Sequence, residues 1–305
     1  METKNCPLGC VPLDIRVMSG EDILHGKSGV FHIVKCSRCG LMRTNPRPSP
    51  EEMGRYYPDD YKPFLTTLIN SEEVIQAGIK AKLVSFLRGN SKMLPYLKPG
   101  KMLEIGCASG AYLNEMSKKG WQVQGIEFSP IAADNAKKEG YQVYTGAIET
   151  APQPDTQFDL ITGWMVMEHL HEPLEVLRRL NNWTKKDGYF VFSVPDAASW
   201  EFQYFKDKWF AQQLPTHLFH YTVPTLKKLL NESGWVLEKV IWHKNPNNFL
   251  KSMLYKAQAS HNKSREVFLN KIIRGEKLNV LHLIIGWLMG ITRQSGRMTI
   301  WARKI

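Results

Sequence analysis

The sequence predicts an α/β fold: a parallel sheet of seven strands, covered by helices on both faces, with a helical insertion near the C-terminus. Three observations predict it. From Lys101 onward, short apolar runs alternate with helix-patterned stretches, as when crossover helices join strands of one sheet. A loop of small residues, Gly106 to Gly110, separates the first run from the first helix. The chain has 305 residues, 43% hydrophobic and 23% charged, which is enough apolar material for an ordinary core with attachments.

Taken in order, the strands are expected at Met102–Gly106, Gln122–Ile126, Tyr141–Thr145, Phe158–Thr162, Tyr189–Val194, Trp235–Trp242 and Arg297–Arg303. Helices fall between them at Ala111–Lys119, from Pro130, from Pro173 to about Asn182, and at Thr222–Ser233. Ser129 can cap the second of these, and proline suits its first turn. Residues 247–293 are helical in pattern and longer than a link between the last two strands requires, so they read as an insertion. Upstream, Pro46, Pro48, Pro50, Pro58 and Pro63 favour an extended connector. Val74, Ile75, Ile79, Leu83, Phe86 and Leu87 then recur as on an amphipathic helix. The expected division is 1–43, a cysteine module; 44–97, a linker with a helical cap; 98–246 with 294–305, the α/β domain; and 247–293, the insertion.

The formal charge of +11 is uneven. Residues 241–305 carry 12 Lys and Arg against 2 Asp and Glu, while the first 240 carry 28 against 27. A neutral main body argues against a protein that coats nucleic acid. METKNCPLGC lacks the apolar stretch of a secretory signal. The apolar run Leu278 to Thr292 has 15 residues, short of the roughly 20 that cross a bilayer. A cytoplasmic, reducing setting is therefore expected, where cysteines are thiols or metal ligands before they are disulfides.

MLEIGCASGAYL follows the first strand and opens a helix. Glycines there let a ligand approach the backbone, and the helix start offers free amides. The pattern is Glu104, Gly106, Gly110, not the G-x-G-x-x-G of a dinucleotide fold, because Ala108 and Ala111 occupy two of its glycine positions. Glu127, 23 residues after Glu104, ends the second strand, where a carboxylate can accept both ribose hydroxyl protons.

MLEIGCASG, GIEFSP, FDLITGWMVMEHLHEP and KKDGYFVFSVP resemble, in that order, the motifs of class I S-adenosylmethionine-dependent methyltransferases. CPLGC and CSRCGL, with RYYPDDY after them, are similar to a subgroup that carries a zinc ribbon ahead of that domain. The resemblance implies a Rossmann-like seven-stranded methyltransferase sheet with S-adenosylmethionine as cofactor. It implies that Gly106, Cys107, Ala108 and Gly110, with Glu104 at the head of the loop, wrap the methionine portion. Glu127 would hold the ribose and Phe128 lie beside the adenine, with Ala147 and Ile148 at its edge. Gly163, Trp164 and Met165 would floor the site. Ala108 departs from the family's usual second glycine and narrows the room for backbone approach.

Glu168 and His169 lie just beyond the fourth strand, at the carboxyl edge where open α/β sheets bind ligands. A Glu-His pair here is typical of the subgroup, and the resemblance implies base chemistry: His169 as general base, Glu168 orienting it or sharing its proton. The alternative is that the two merely cap the loop into the helix begun by Glu172 and Pro173. In PTHLFHYT, His217 falls on the family's Pro-x-His position in a segment that lids the acceptor pocket, with His220 a weaker match. Trp200 and Trp209 could wall that pocket or simply pack. Tyr56, Tyr57 and Tyr61 could close over the site or stand on surface turns, and Tyr57 is the one expected to touch substrate.

No Asn/Asp-Pro-Pro-aromatic stretch, which would grip a flipped base, follows the fourth strand, and no carboxylate cluster of the catechol type is present. The expected acceptor is a hydroxyl or carbon of a small or carrier-linked metabolite, with sugars or nucleotide-sugars favoured and no nucleic acid as partner. The alternatives are an RNA or other nucleic-acid methyltransferase, favoured by the ribbon and the net charge, and a non-catalytic cofactor-binding module, opposed by the intact acidic residues.

Cys36-x-x-Cys39-Gly40 has the form of a zinc knuckle, and Cys6 and Cys10 supply a second pair at a wider spacing. Four thiolates would make a closed, structural Zn2+ site. His25 and His32 are spare donors, and free thiols in a vestigial ribbon are the alternative. In the tail, the apolar stretch 278–292 between basic flanks either packs internally or lies on anionic lipid, which would give a peripheral membrane contact.

Overall fold

The computed structural model describes residues 1–11, 13–57, 93–274 and 280–305. The helix expected around Val74–Leu87 lies outside the described residues, as does Tyr61. Two sheets organise the rest. The larger has seven strands: β4 (Lys101–Ile105), β5 (Gln122–Glu127), β6 (Gln142–Thr145), β7 (Phe158–Trp164), β8 (Thr184–Pro195), β10 (Trp235–Trp242) and β11 (Arg297–Lys304). Their order is β10-β11-β8-β7-β4-β5-β6. All seven fall where the sequence pattern places them, which makes this the Rossmann-like methyltransferase architecture.

The sheet is mixed, not wholly parallel. β5, β4, β7, β8 and β6 run in parallel, but β11 is antiparallel to both β8 and β10. Apolar periodicity reports which face of a strand is buried and carries no sign of its direction. β11 inserts between β8 and β10 on its return from the helical insertion, with Met298, Ile300 and Ala302 fully buried.

Local chemistry sets the boundaries. Ser129 accepts a hydrogen bond from the Ala132 amide, and Pro130 starts the helix Pro130–Lys138. Thr222 caps Val223–Asn231 in the same way, in a reciprocal box with Thr225. Helix Pro173–Trp183 buries Leu174, Val176, Leu177, Leu180 and Trp183 and runs directly into β8, whose polar first turn, Thr184–Asp187, hides its true start from apolar patterning. Its packing is completed by Trp235, whose indole N–H donates to the Leu177 carbonyl at 2.9 Å.

The second sheet is antiparallel, in the order β1 (Asp14–Glu21), β2 (Val30–Cys36), β3 (Met42–Thr44), β9 (Phe219–His220). Its fourth strand comes from the α/β domain, so the cysteine-bearing sheet is joined to that domain by a strand pair: Met42 faces His220 and Arg43 faces Phe219. The proline-rich connector is not uniformly extended. Pro50–Met53 is a helical turn held by Ser49 and Glu52 in a capping box, and Gly54–Tyr56 continues it as a 3-10 turn. Pro50 stands at the first helical position, where its missing N–H costs nothing. Among the described residues, the segment after β10 forms the helices Asn247–Ala259, Lys263–Ile273 and Val280–Ile291.

Candidate active site

β4 is flanked by β5 and β7, both of which follow it in the chain, so the crossovers diverge at its carboxyl end and leave a crevice there. The loop Gly106–Gly110 leaves β4 into that crevice. Gly106 has φ +68°, and a Cβ on it would stand 2.7 Å from Val166 Cγ2, so only glycine lets the loop lie against the segment after β7. Ala108 and Met165, on the two sides, hold left-handed φ values of +47° and +60°. Such strain in non-glycine residues clusters at functional sites.

Glu127 ends β5 with its carboxylate turned into this loop. One oxygen accepts the Ala108 amide at 2.9 Å, the other the Ser129 amide at 2.8 Å. Burial raises its pKa, against the pull of the Ser129, Ala108 and Phe128 amides. Each oxygen keeps a second lone pair for a ligand hydroxyl. Phe128 beside it is 63% exposed, an open aromatic face. Ala147 is half-buried and Ile148 joins the core. Gly163 is buried, Trp164 packs edge-on against Tyr112 at 5.4 Å, and the Met165 amide donates to the Ser193 carbonyl. Glu104 is buried in β4, and the buried Cys107 thiol lies against Gly125. The residues therefore fit S-adenosylmethionine: a small-residue cradle, a carboxylate at its rim and an exposed aromatic beside it.

Just beyond Val166 in the chain, Glu168 and His169 meet His217 and bring one carboxyl and two imidazoles together, their ligand-type atoms within 4.8 Å of one another. His169 Nδ1 lies 3.0 Å from the Thr216 carbonyl oxygen, which can only accept, so Nδ1 carries the proton and Nε2 the lone pair. The Tyr57 hydroxyl lies 3.0 Å from the same Nδ1. His217 is fixed likewise, Nδ1 to the Ala211 carbonyl at 2.9 Å, leaving its Nε2 buried with no partner among the described residues. The two rings meet edge to face at 4.6 Å. Glu168 is fully buried, and neither carboxyl oxygen has a hydrogen-bond partner there.

Burial governs the charge states. It pushes Glu168 up to about 8, against its own backbone amide and the positive charge of Arg297. It pushes His169 down to about 4, opposed by the Thr216 carbonyl and aided by Arg297. His217 falls well below the usual histidine range for the same reason, with His169, His220 and Arg297 adding repulsion. At neutral pH the trio is uncharged: a protonated carboxyl beside two basic nitrogens. Such a set can share a proton, and it is also of the kind that accepts a divalent cation.

The capping alternative finds no support, since Glu172 at the start of helix Pro173–Trp183 makes no side-chain cap and His169 bonds to Thr216 and Tyr57 instead. The segment expected to lid the acceptor pocket is laced to the trio. The Leu218 amide donates to the Glu168 carbonyl, Tyr221 Oη to the Met167 carbonyl, and Thr44 Oγ1 to the His217 carbonyl. His220 Nε2 lies 3.2 Å from Thr44 Oγ1 on β3. Trp209 is buried with its indole N–H on Glu201, while Trp200 stacks on Tyr204 and is 43% exposed. Tyr56 packs against Phe31.

Sequence reasoning missed three contributors. Thr216 and Ala211 act through carbonyls, which leave no mark in residue type. Arg297 reads as a tail flank until β11 carries it next to β8. A polar surface hollow lined by Glu149, Glu172, Glu175, Arg178 and Arg179 includes none of the site residues.

Cys6, Cys10, Cys36 and Cys39 converge in one group with all sulfurs within 4.8 Å, while His32 bonds to Ser19 and, like His25, stands outside the group. Burial raises Cys36, but the Cys39 and Arg38 amides, with the Cys39 and Cys10 thiols, outweigh it and hold the thiol near 7, while burial pushes Cys6 and Cys10 up. Amides aimed at a thiol favour its thiolate, the form a metal binds.

Residues 79–240 match a family described as a methyltransferase domain. The ubiquinone biosynthesis O-methyltransferase of Schizosaccharomyces pombe is 31% identical over 103 residues, 31% of this chain and 37% of that protein. The Acinetobacter baylyi enzyme of the same name is 26% identical over 102 residues, 31% of this chain and 43% of that one. The chain thus spans only about two fifths of the curated relatives it matches. Among solved structures, a putative S-adenosylmethionine-dependent methyltransferase from Listeria monocytogenes aligns with a TM-score of 0.48 at 16% identity, covering 74% of this chain and 99% of that one. With more than half of its length matched to the family, and with the cradle, carboxylate and sheet in place, the chain belongs to the class I S-adenosylmethionine-dependent methyltransferases.

Proposed function

We propose that this chain transfers a methyl group from S-adenosylmethionine to a hydroxyl oxygen of a small or carrier-linked acceptor. Oxygen is favoured over carbon because the named relatives are O-methyltransferases, although the similarity spans a third of this chain. Nothing in the site speaks for a sugar or nucleotide-sugar.

The observation that carries the reading is His169, held through Nδ1 by the Thr216 carbonyl so that Nε2 keeps its lone pair, three residues after Val166, which lies against Gly106 of the cofactor loop. The cofactor supplies a methyl carbon already activated by its sulfonium. The chain's own residues do the remainder. Glu127 and the small-residue loop bind and orient. His169 Nε2 accepts the acceptor's hydroxyl proton as that oxygen becomes nucleophilic. Burial, with the positive charge of Arg297, keeps the imidazole neutral, so Nε2 is unprotonated when the acceptor arrives. Tyr57 reaches His169 from the N-terminal segment and fixes its ring.

General-base removal typically costs 10²–10⁴-fold in rate. His169→Ala is expected to lower kcat by about 10²-fold or more, with S-adenosylhomocysteine affinity by calorimetry unchanged. Unaltered turnover at saturating acceptor would exclude His169 as base. A second reading, cation-assisted deprotonation at the Glu168–His169–His217 trio, is favoured by their convergence. It predicts activity that a chelator abolishes and added divalent metal restores.

The four cysteines complete the proposal as a closed structural Zn2+ site. Their support is the convergence of the sulfurs and the amides that favour the Cys36 thiolate.

A further inference from the structure

Among the described residues, helix Val280–Ile291 packs one face and exposes the other. On the packed face Leu283 is buried, and a Cβ at Gly286 would stand 2.6 Å from the Lys244 carbonyl oxygen, so backbone lies against backbone. On the opposite face, Leu281 is 60% exposed, Ile284 39%, Leu288 45% and Ile291 47%. Spacings of three, four and three keep these four within one stripe of about 80° at 100° per residue. The preceding helix, Lys263–Ile273, repeats the theme: Val267 and Phe268 are exposed on the face that also carries Lys263, Lys271 and Arg274. Among its described residues the insertion 247–293 holds seven Lys and Arg against one acid, Glu266, in a chain whose first 240 residues are nearly neutral.

We infer that the helical insertion is a docking face for an anionic lipid surface, on which helix Val280–Ile291 lies in the plane of the headgroups. Exposed aliphatic side chains would enter the acyl boundary, and the lysines and arginine of the preceding helix would meet lipid phosphates. No helix among the described residues is long and apolar enough to cross a membrane, and this one has 12 residues. Charge decides the occupant: a second copy would bring the same cationic insertion against this one and repel it. The inference does not rest on the methyl-transfer reading, because none of these residues belongs to the cofactor cradle or the histidine cluster.

The experiment is flotation of the full chain with vesicles of phosphatidylcholine alone or mixed with phosphatidylglycerol, at low and high salt. Co-flotation with the mixed vesicles at low salt, weakened by salt and absent with phosphatidylcholine alone, is expected. Ile284→Glu with Leu288→Glu should abolish it, while S-adenosylhomocysteine affinity and the thermal transition stay as in the parent. Lys271→Glu or Arg274→Glu should each weaken binding about fivefold or more. Failure to float with anionic vesicles overturns the inference, as does equal binding to both vesicle types. So does a lipid-independent dimer in sedimentation that the Glu pair dissociates, since the stripe would then belong to a second copy.

Discussion

At Glu168 a carboxyl is fully buried with no hydrogen bond to either oxygen among the described residues, an arrangement that stability alone would not retain. An unsatisfied buried polar group costs about 1–3 kcal/mol. Glu168→Met is therefore expected to raise the melting temperature while abolishing turnover. The sign with pH follows from its raised pKa. Between the ordinary carboxyl value of 4.5 and about 8, the unfolded chain ionises Glu168 and the native chain does not, so parent stability falls as pH rises through that window. The variant lacks this slope, and its advantage should grow from pH 4.5 to pH 8 and then level off. Melting curves of both proteins across that range test it; a variant less stable than the parent at pH 8 would contradict the assignment.

Among elements, the turn from β5 into helix Pro130–Lys138 does two things at once. Ser129 caps the helix through its hydroxyl and holds Glu127 through its amide. Ser129→Ala should cost about 1 kcal/mol of stability through the lost cap, with little loss of S-adenosylhomocysteine affinity because the backbone amide remains. A large loss of affinity in calorimetry would mean that the hydroxyl itself positions the carboxylate. This turn was legible beforehand, since Ser-Pro ahead of a helical run states its own chemistry. So were the seven strands and the loop between Gly106 and Gly110. The direction of β11 was not legible, because burial alternates alike in parallel and antiparallel strands. Nor was β9: two residues carry no periodicity, and its pairing with β3 joins positions far apart in the chain. The contact of Tyr57 with His169, 112 positions away, was invisible for the same reason.

Across the whole molecule, the β3–β9 pair ties the cysteine cluster to the segment that supplies His217, the lid of the expected acceptor pocket. Metal bound by the cysteines would rigidify β2 and β3, and through them the lid. Purified protein is expected to contain one zinc per chain by elemental analysis, and Cys36→Ser to lose it. Because zinc binding is coupled to the folding of such small modules, stripping the metal should lower the melting temperature. It should also reduce kcat more than S-adenosylhomocysteine affinity, since the lid and not the cradle is affected. Metal-free protein with undiminished turnover would uncouple the two sheets.

That shared strand also decides what can be cut. A conventional truncation before residue 58 would discard the partner of Phe219 and the hydroxyl that reaches His169, uncovering an apolar edge in the excised catalytic half. Anyone trimming this chain for expression, or grafting its front end onto another enzyme, would have to move both ends of that hydrogen-bonded seam together.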